Sequence, residues 1–202
     1  MQVVTQNKYT EETHRWHNHI PAGATKLFIG TFPTEERNRK HDFFYSSATN
    51  RFWEVVTALA QPLGKIADEK DEVEKRKLIL HKLHLGLTDM GKKVLRQQGS
   101  SNDHSLFPLE FMNIIELVQQ HPAIDTLIVS GNTQGNSSLS WFSTFCQLNN
   151  IKVNAKQIEE EKTGSVVING KPYKVVIAFS PSRQSRKKTE VLIESYRALL
   201  LS

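Results

Sequence analysis

Lys26-Leu27-Phe28-Ile29-Gly30-Thr31-Phe32-Pro33 is the stretch on which the fold turns. Its apolar run is too short for a helix of ordinary length and ends at a glycine. That pattern predicts a buried strand, Lys26–Gly30, that runs straight into a loop. The Gly-x-x-Pro spacing then fixes a tight backbone turn at the edge of a sheet. Two further runs repeat the pattern. Leu85–Asp89 reads as a second strand and Thr126–Ser130 as a third.

Helical segments fill the intervals. Asn50–Leu59 presents Phe52, Trp53, Val56 and Leu59 or Ala60 on one face, and Glu69–Leu83 is a charged helix anchored by Val73, Leu80 and Leu83. Pro108–Gln120 carries Phe111, Ile114, Ile115 and Val118 at helical spacing, and Leu139–Leu148 places Trp141, Phe142 and Phe145 in the core. Near the C-terminus, Val166–Ile168 and Tyr173–Phe179 flank Asn169-Gly170, a hairpin signal. Arg186–Leu201 is the last helix, with Leu192, Tyr196, Leu199 and Leu200 on one face and Ser185 as its N-cap. Strands alternating with helices predict an α/β fold: a three-layer α/β/α sandwich with a short, mostly parallel central sheet. Ligands of such sheets bind at the carboxyl ends of the strands. Function is therefore sought in the loops that leave them.

Composition sets the outer limits. The 202 residues suit one domain spanning 1–202, and 38% hydrophobic against 23% charged residues is an ordinary soluble balance. The single cysteine, Cys146, cannot form an internal disulfide or a cysteine-ligated metal site, which fits a cytoplasmic location. No stretch approaches the ~20 apolar residues that span a bilayer, and the N-terminus has no signal-peptide pattern. Lys and Arg number 26 against 21 Asp and Glu. This balance permits polyanion binding without demanding it. The positive charge gathers in Arg37–Lys40, Lys92–Arg96 and Arg183–Lys188, each beside a turn-rich stretch.

Three segments carry chemistry. The first is Gly30-Thr31-Phe32-Pro33 with Phe43-Phe44-Tyr45 and Asn50-Arg51-Phe52-Trp53. The second is Gly86-Leu87-Thr88-Asp89 with Arg96 and the loop Gly99-Ser100-Ser101-Asn102-Asp103. The third is Phe179-Ser180-Pro181-Ser182-Arg183-Gln184-Ser185-Arg186, leading into the last helix. Aromatic rings in a loop offer faces on which a base stacks, or they pack as a lid. Serine hydroxyls, backbone N–H groups and two guanidinium groups before a helix suit phosphate contacts, or they form a solvated cap. His14, His17 and His19 cluster beside Trp16 but lack a carboxylate-rich partner set, so no metal is expected. Gly131–Ser137 is similar to a phosphate-cradling loop but lacks the P-loop ending.

Asn50-Arg51-Phe52-Trp53 resembles the Asn-x-Phe-Trp element of mismatch-specific uracil-DNA glycosylases and thymine-DNA glycosylases. Ser180–Leu200, SPSRQSRKKTEVLIESYRALL, resembles their second motif, a Pro-Ser-x-x-Ser-Arg loop entering a helix with a Tyr-Arg pair. With the Gly-x-x-Asp strand and the Arg-x-x-Gly-Ser-x-x-Asp loop, the set looks closest to the hypoxanthine-DNA glycosylase branch of the uracil-DNA glycosylase superfamily. The resemblance runs from Lys26 to Leu201. The charged segment 67–83 has no counterpart in it and reads as an inserted helix.

The resemblance implies a monofunctional DNA glycosylase, without a cofactor, that flips a deaminated base from DNA into a pocket. Hypoxanthine is the first substrate expected and uracil the second. Asn50 would be the catalytic residue that orients the attacking water. Thr31, Phe32, Tyr45 and Asp89 would form the base pocket, Tyr45 stacking on the base and Asp89 taking the position of a base-reading Asn. Ser180, Pro181, Ser182, Arg183, Gln184, Ser185 and Arg186 would hold DNA. Phe32 departs from the pattern, because the uracil-excising branches have Asp or Asn there. Two other readings stand beside this one. One is a non-catalytic DNA- or nucleobase-binding domain of the same fold. The other is a small nucleotide-binding protein using Gly131–Ser137. The expected partner is damaged DNA rather than a membrane, and the expected state is a monomer.

Overall fold

The three apolar runs are strands, and they lie side by side. A computed structural model describes residues 8–16, 18–64, 70–98, 100 and 102–201. In chain order the elements are β1 (Tyr9–Thr13), β2 (Asn18–His19), β3 (Lys26–Gly30), α1 (Phe52–Ala60), α2 (Glu72–Lys82), β4 (Leu85–Asp89), β5 (Gly91–Gln97), β6 (Leu106–Phe111), α3 (Ile114–Gln120), β7 (Thr126–Ser130), α4 (Ser138–Leu148), α5 (Ala155–Glu161), β8 (Thr163–Ile168), β9 (Lys171–Ala178) and α6 (Thr189–Leu200). The main sheet has the order β2-β4-β3-β7-β9-β8. Its four central strands are parallel, with Leu27 paired to Gly86 on one side and to Leu127 on the other. β2 and β8 close the two edges antiparallel.

Strand periodicity sorts the core into two halves. Leu27, Ile29, Leu127 and Val129 point to one face, where they meet α3, α4 and α5. Phe28 and Ile128 point to the other, where they meet α1, α2 and α6. The α/β/α sandwich follows directly. α2 begins at an Asp71 cap whose side chain accepts from the Val73 and Glu74 N–H groups. It buries Ile79 and Leu80 in the same core as the sheet, as does Leu83 just after it. Within 67–83, residues 67–69 lie outside the described residues.

Three expectations change. Pro108–Gln120 is not one helix. Leu106–Phe111 is a strand, and the helix starts only after Asn113, whose side chain accepts from the Glu116 N–H. Strand β6 is the edge of a second, three-stranded antiparallel sheet, β1-β5-β6. Pro108 is tolerated there because an edge strand need not donate on both sides. The last helix begins at Thr189 with Lys188 at its cap. Ser185 instead ends a short 3₁₀ turn, and Arg186 after it takes a left-handed φ of 53°. The Asn169-Gly170 hairpin joins β8 to β9, both turn residues having positive φ, 49° and 81°. Cys146 is buried and unpaired, and its thiol is pushed up to about 12 by burial.

Candidate nucleic-acid site

The parallel strands all end at the same edge of the sheet. Gly30 ends β3, Asp89 ends β4, Ser130 ends β7, and Ser180 follows β9; all four line one cleft of about 340 Å³. Thr31, Phe32, Tyr45, Asn50 and Ser182 line it too.

The first wall is the segment between β3 and α1. Tyr45 adopts a left-handed φ of 53°, which turns its ring back over the sheet. The ring stacks on Phe52 at 4.2 Å and 22°, and meets Phe28 edge-on at 5.9 Å. Its hydroxyl is buried without a hydrogen-bond partner among the described residues. Burial, and then the charge of Asp89, hold that hydroxyl well above its ordinary pKa, so it stays a neutral O–H. Asn50 Oδ1 accepts from the Phe52 N–H at 2.9 Å. This orients the amide at the mouth of α1, and no bond of Nδ2 to a described residue is seen. Phe32 lines the cleft half-buried, with the buried Arg96 guanidinium 5.7 Å from its ring centre.

Asp89 is held by a residue that no motif points to. His14 Nε2 lies 2.8 Å from Asp89 Oδ2, and His14 Nδ1 accepts from the Trp16 N–H at 3.0 Å. An accepting Nδ1 places the ring proton on Nε2, which therefore donates to the carboxylate. Both residues are buried, His14 at 3% and Asp89 at 6% exposure. Gly30 makes room for the other carboxylate oxygen. A Cβ at residue 30 would fall 2.0 Å from Asp89 Oδ1 and 3.0 Å from the Tyr45 hydroxyl.

Asp103, in the connection between β5 and β6, stands at the open rim of the cleft. Although the residue keeps solvent contact, the cleft walls desolvate its carboxyl and push it up to about 6. A hydrogen bond from Thr31 opposes the rise, and the nearby charge of Asp89 adds to it. Residues 99 and 101 of this connection lie outside the described residues.

The second wall is Ser180–Arg186. It is stapled to the first by the backbone: Arg51 N–H donates to the Pro181 carbonyl and Arg183 N–H to the Thr49 carbonyl, each at 3.0 Å. The buried Arg51 guanidinium adds donations to the carbonyls of Lys187, at 2.5 Å, and Ser182, at 3.4 Å. Ser180 and Ser182 hydroxyls accept from the N–H groups of Ser182 and Gln184, leaving their own protons for a ligand. Ser185 differs, because its hydroxyl donates to the Ser182 carbonyl at 2.7 Å. Gln184 Nε2 donates across the cleft to Asn102 Oδ1 at 3.0 Å. Arg183 and Arg186 do not line the cleft, although their neighbours do.

The basic stretches sort themselves by their partners. Lys92 pairs with Glu110, Lys93 with Glu11, Arg96 with Glu12 and Arg37 with Glu35. Among the described residues no ion pair neutralises Arg183, Arg186, Lys187 or Lys188, although Lys187 lies over the Phe179 ring at 4.5 Å. The Gly131–Ser137 loop uses its own polar groups. Thr133 donates to Glu159 through both N–H, at 2.9 Å, and hydroxyl, at 2.5 Å, so a carboxylate sits where an anion would have to bind. Of the three histidines, His17 lies outside the described residues, and no group of three metal-ligating side chains occurs among the described residues. Nor is any helix among them long and apolar enough to cross a membrane.

Sequence comparisons are silent: no family model and no curated protein matches the chain. Among solved structures, the chain is similar to the solution NMR structure of a protein from Methanosarcina acetivorans described as a "putative Uracil DNA glycosylase". The TM-score is 0.55 at 19% sequence identity, over 92% of this chain and 98% of that one. What the two chains share is the fold, a mixed α/β domain with helices packed on a mostly parallel central sheet.

Proposed function

We propose that this chain is a DNA glycosylase that takes a deaminated base, hypoxanthine first and uracil second, into the strand-end cleft and hydrolyses its N-glycosidic bond. One observation carries this reading. The cleft joins Asn50, Tyr45 and Asp89 to a serine-rich loop, and no ion pair among the described residues neutralises the cations beside that loop. A flipped base needs a pocket beside a phosphate-gripping edge, and these two walls supply both.

Each residue has a part in this reading. Asn50 is the catalytic group. Its Oδ1 is fixed by the Phe52 N–H and keeps a second lone pair for a water proton. An amide is a poor base, but departure of the base through an oxocarbenium-like state needs water orientation and electrostatic support more than proton abstraction. Thr31 and Phe32 shape the pocket, Tyr45 supplies its aromatic wall, and Asp89 accepts from the base edge. Ser180 and Ser182 contact phosphate, Pro181 and Ser185 stiffen the loop, and Arg186 adds charge. Arg183, or Gln184 released from Asn102, fills the gap left by the flipped nucleotide. No metal or cofactor enters this scheme, and a monomer suffices for it.

A second reading has its own support. Phe32 cannot hydrogen-bond water, so a domain that binds a base without cleaving it fits the same cleft. Single-turnover base release from duplexes carrying one hypoxanthine or one uracil, measured beside binding, separates the two. Release supports the enzyme; binding without release supports the non-catalytic domain.

A further inference from the structure

We propose that His14 is a positioning residue that fixes Asp89 as an acceptor-only carboxylate and so makes the pocket select bases that present a ring N–H. This rests on the reading of the cleft as a base pocket. His14 lies between β1 and β2, 75 positions from Asp89 in sequence, yet it is buried against Asp89, Phe32 and Phe44.

An amide at the end of β4 would both donate and accept, and it could turn to suit either edge of a base. An ionised carboxylate only accepts. Asp89 is buried, so its charge needs a donor nearby. That donor is the Nε2–H of His14, and the Trp16 backbone N–H fixes the tautomer by occupying Nδ1. Rotation of the carboxylate is thereby restrained, and Oδ1 fills the place that a Cβ at residue 30 would take, at the wall of the cleft. The Tyr45 hydroxyl, a neutral donor with no hydrogen-bond partner among the described residues, lies beside that place. An acceptor beside a donor complements a lactam edge, N–H next to C=O.

Deamination creates that edge. Adenine and cytosine present a bare ring nitrogen, an acceptor that would face the carboxylate lone pairs. Hypoxanthine and uracil present N–H at the same place. A site built to accept a hydrogen bond rejects the base that lacks the donor, because the buried acceptor is then left unpaired.

The test measures binding, so that it does not depend on catalysis. Duplexes carry one 2′-fluorinated, hydrolysis-resistant nucleotide with hypoxanthine, uracil, adenine or cytosine as the base. Wild-type protein should bind the first two at least about tenfold more tightly than the last two, the scale of one hydrogen bond to a charged group. His14→Phe keeps a ring but removes the donor, and should bring the four affinities within about threefold. His14→Gln, whose amide nitrogen can still donate to Asp89, should restore the preference, which a merely space-filling role would not predict. If His14→Phe fails to fold, Asp89→Asn asks the same question of the acceptor and should also lose the preference. Wild-type protein that binds all four alike, or a folded His14→Phe or Asp89→Asn variant with unaltered preference, overturns the inference. Wild-type preference without base release from the unfluorinated duplexes overturns the excision reading alone. No binding to any duplex overturns both.

Discussion

Asn50 and Ser182 pair antiparallel through their backbones, 132 positions apart in sequence and drawn together where the β3–α1 segment meets the loop after β9. The residue proposed to orient water and the loop proposed to hold DNA are therefore one backbone unit. A shift of the loop on a phosphate would be felt directly at Asn50.

Asn50→Ala should lower base release by on the order of 10²-fold or more, the scale of losing a group that supports the transition state. It also removes the acceptor for the Phe52 N–H at the start of α1, at a stability cost of about 1 kcal/mol. Thermal melting separates the two effects, and DNA affinity should change little. Wild-type release by a folded variant would remove Asn50 from the mechanism.

Phe32→Asn tests the other half of the site. The variant supplies a polar side chain in the cleft that could hold water, so uracil release should rise. No gain in a stable variant would mean that the Phe32 position does not govern water access here.

Gly30→Ala places a methyl group 2.0 Å from Asp89 Oδ1 and 3.0 Å from the Tyr45 hydroxyl. Asp89 is anchored by His14, so the carboxylate cannot yield without breaking that bond. Base binding should fall while the strand itself, buried on both sides, persists. A variant with native melting and native base binding would show that the carboxylate moves freely.

Arg186→Ala should weaken DNA binding across all sequences and reduce the log–log salt slope by about 1, the signature of one lost phosphate contact. Changing Arg183 and Gln184 together to Ala should impair release more than binding. An affinity series in salt, run beside single-turnover release, tells these apart. Wild-type slopes and release in both variants would mean a solvated cap.

Asp103 gives a pH signature. Its carboxyl sits at about 6 in the folded chain against 3.8 ordinarily, so the fold favours the protonated form. The stability this contributes is full below the lower value and is lost as pH rises through the upper one. Asp103→Asn should therefore melt higher than wild type at pH 7.5, with the gap closing toward pH 4. A gap that does not change with pH would contradict the desolvated carboxyl.

The main sheet was legible because its strands are short apolar runs closed by Gly30, Asp89 and Ser130. The second sheet was not. Neither Gly91–Gln97 nor Tyr9–Thr13 carries an apolar run: the first mixes buried and half-buried positions around charged residues, and the second is almost wholly exposed. Phe111 and Ile114 bury on the same side of the domain, which mimics helical spacing across a strand-to-helix corner. Within the cleft, Tyr45, Asn50 and Ser182 sit in motifs that read directly. His14 was visible only as one of three histidines, because its partner Asp89 is 75 positions away and only the register of the fold brings them together. Arg51 likewise has no role that its motif makes visible. Its task, holding the loop carbonyls, becomes apparent only once α6 folds back against α1.

The most direct test is single-turnover release of the free base by the wild-type protein from a duplex containing one hypoxanthine, with a uracil duplex and undamaged DNA beside it. The account predicts release of hypoxanthine, slower release of uracil, and none from undamaged DNA. Tight binding to the hypoxanthine duplex with no base released from either lesion would contradict it.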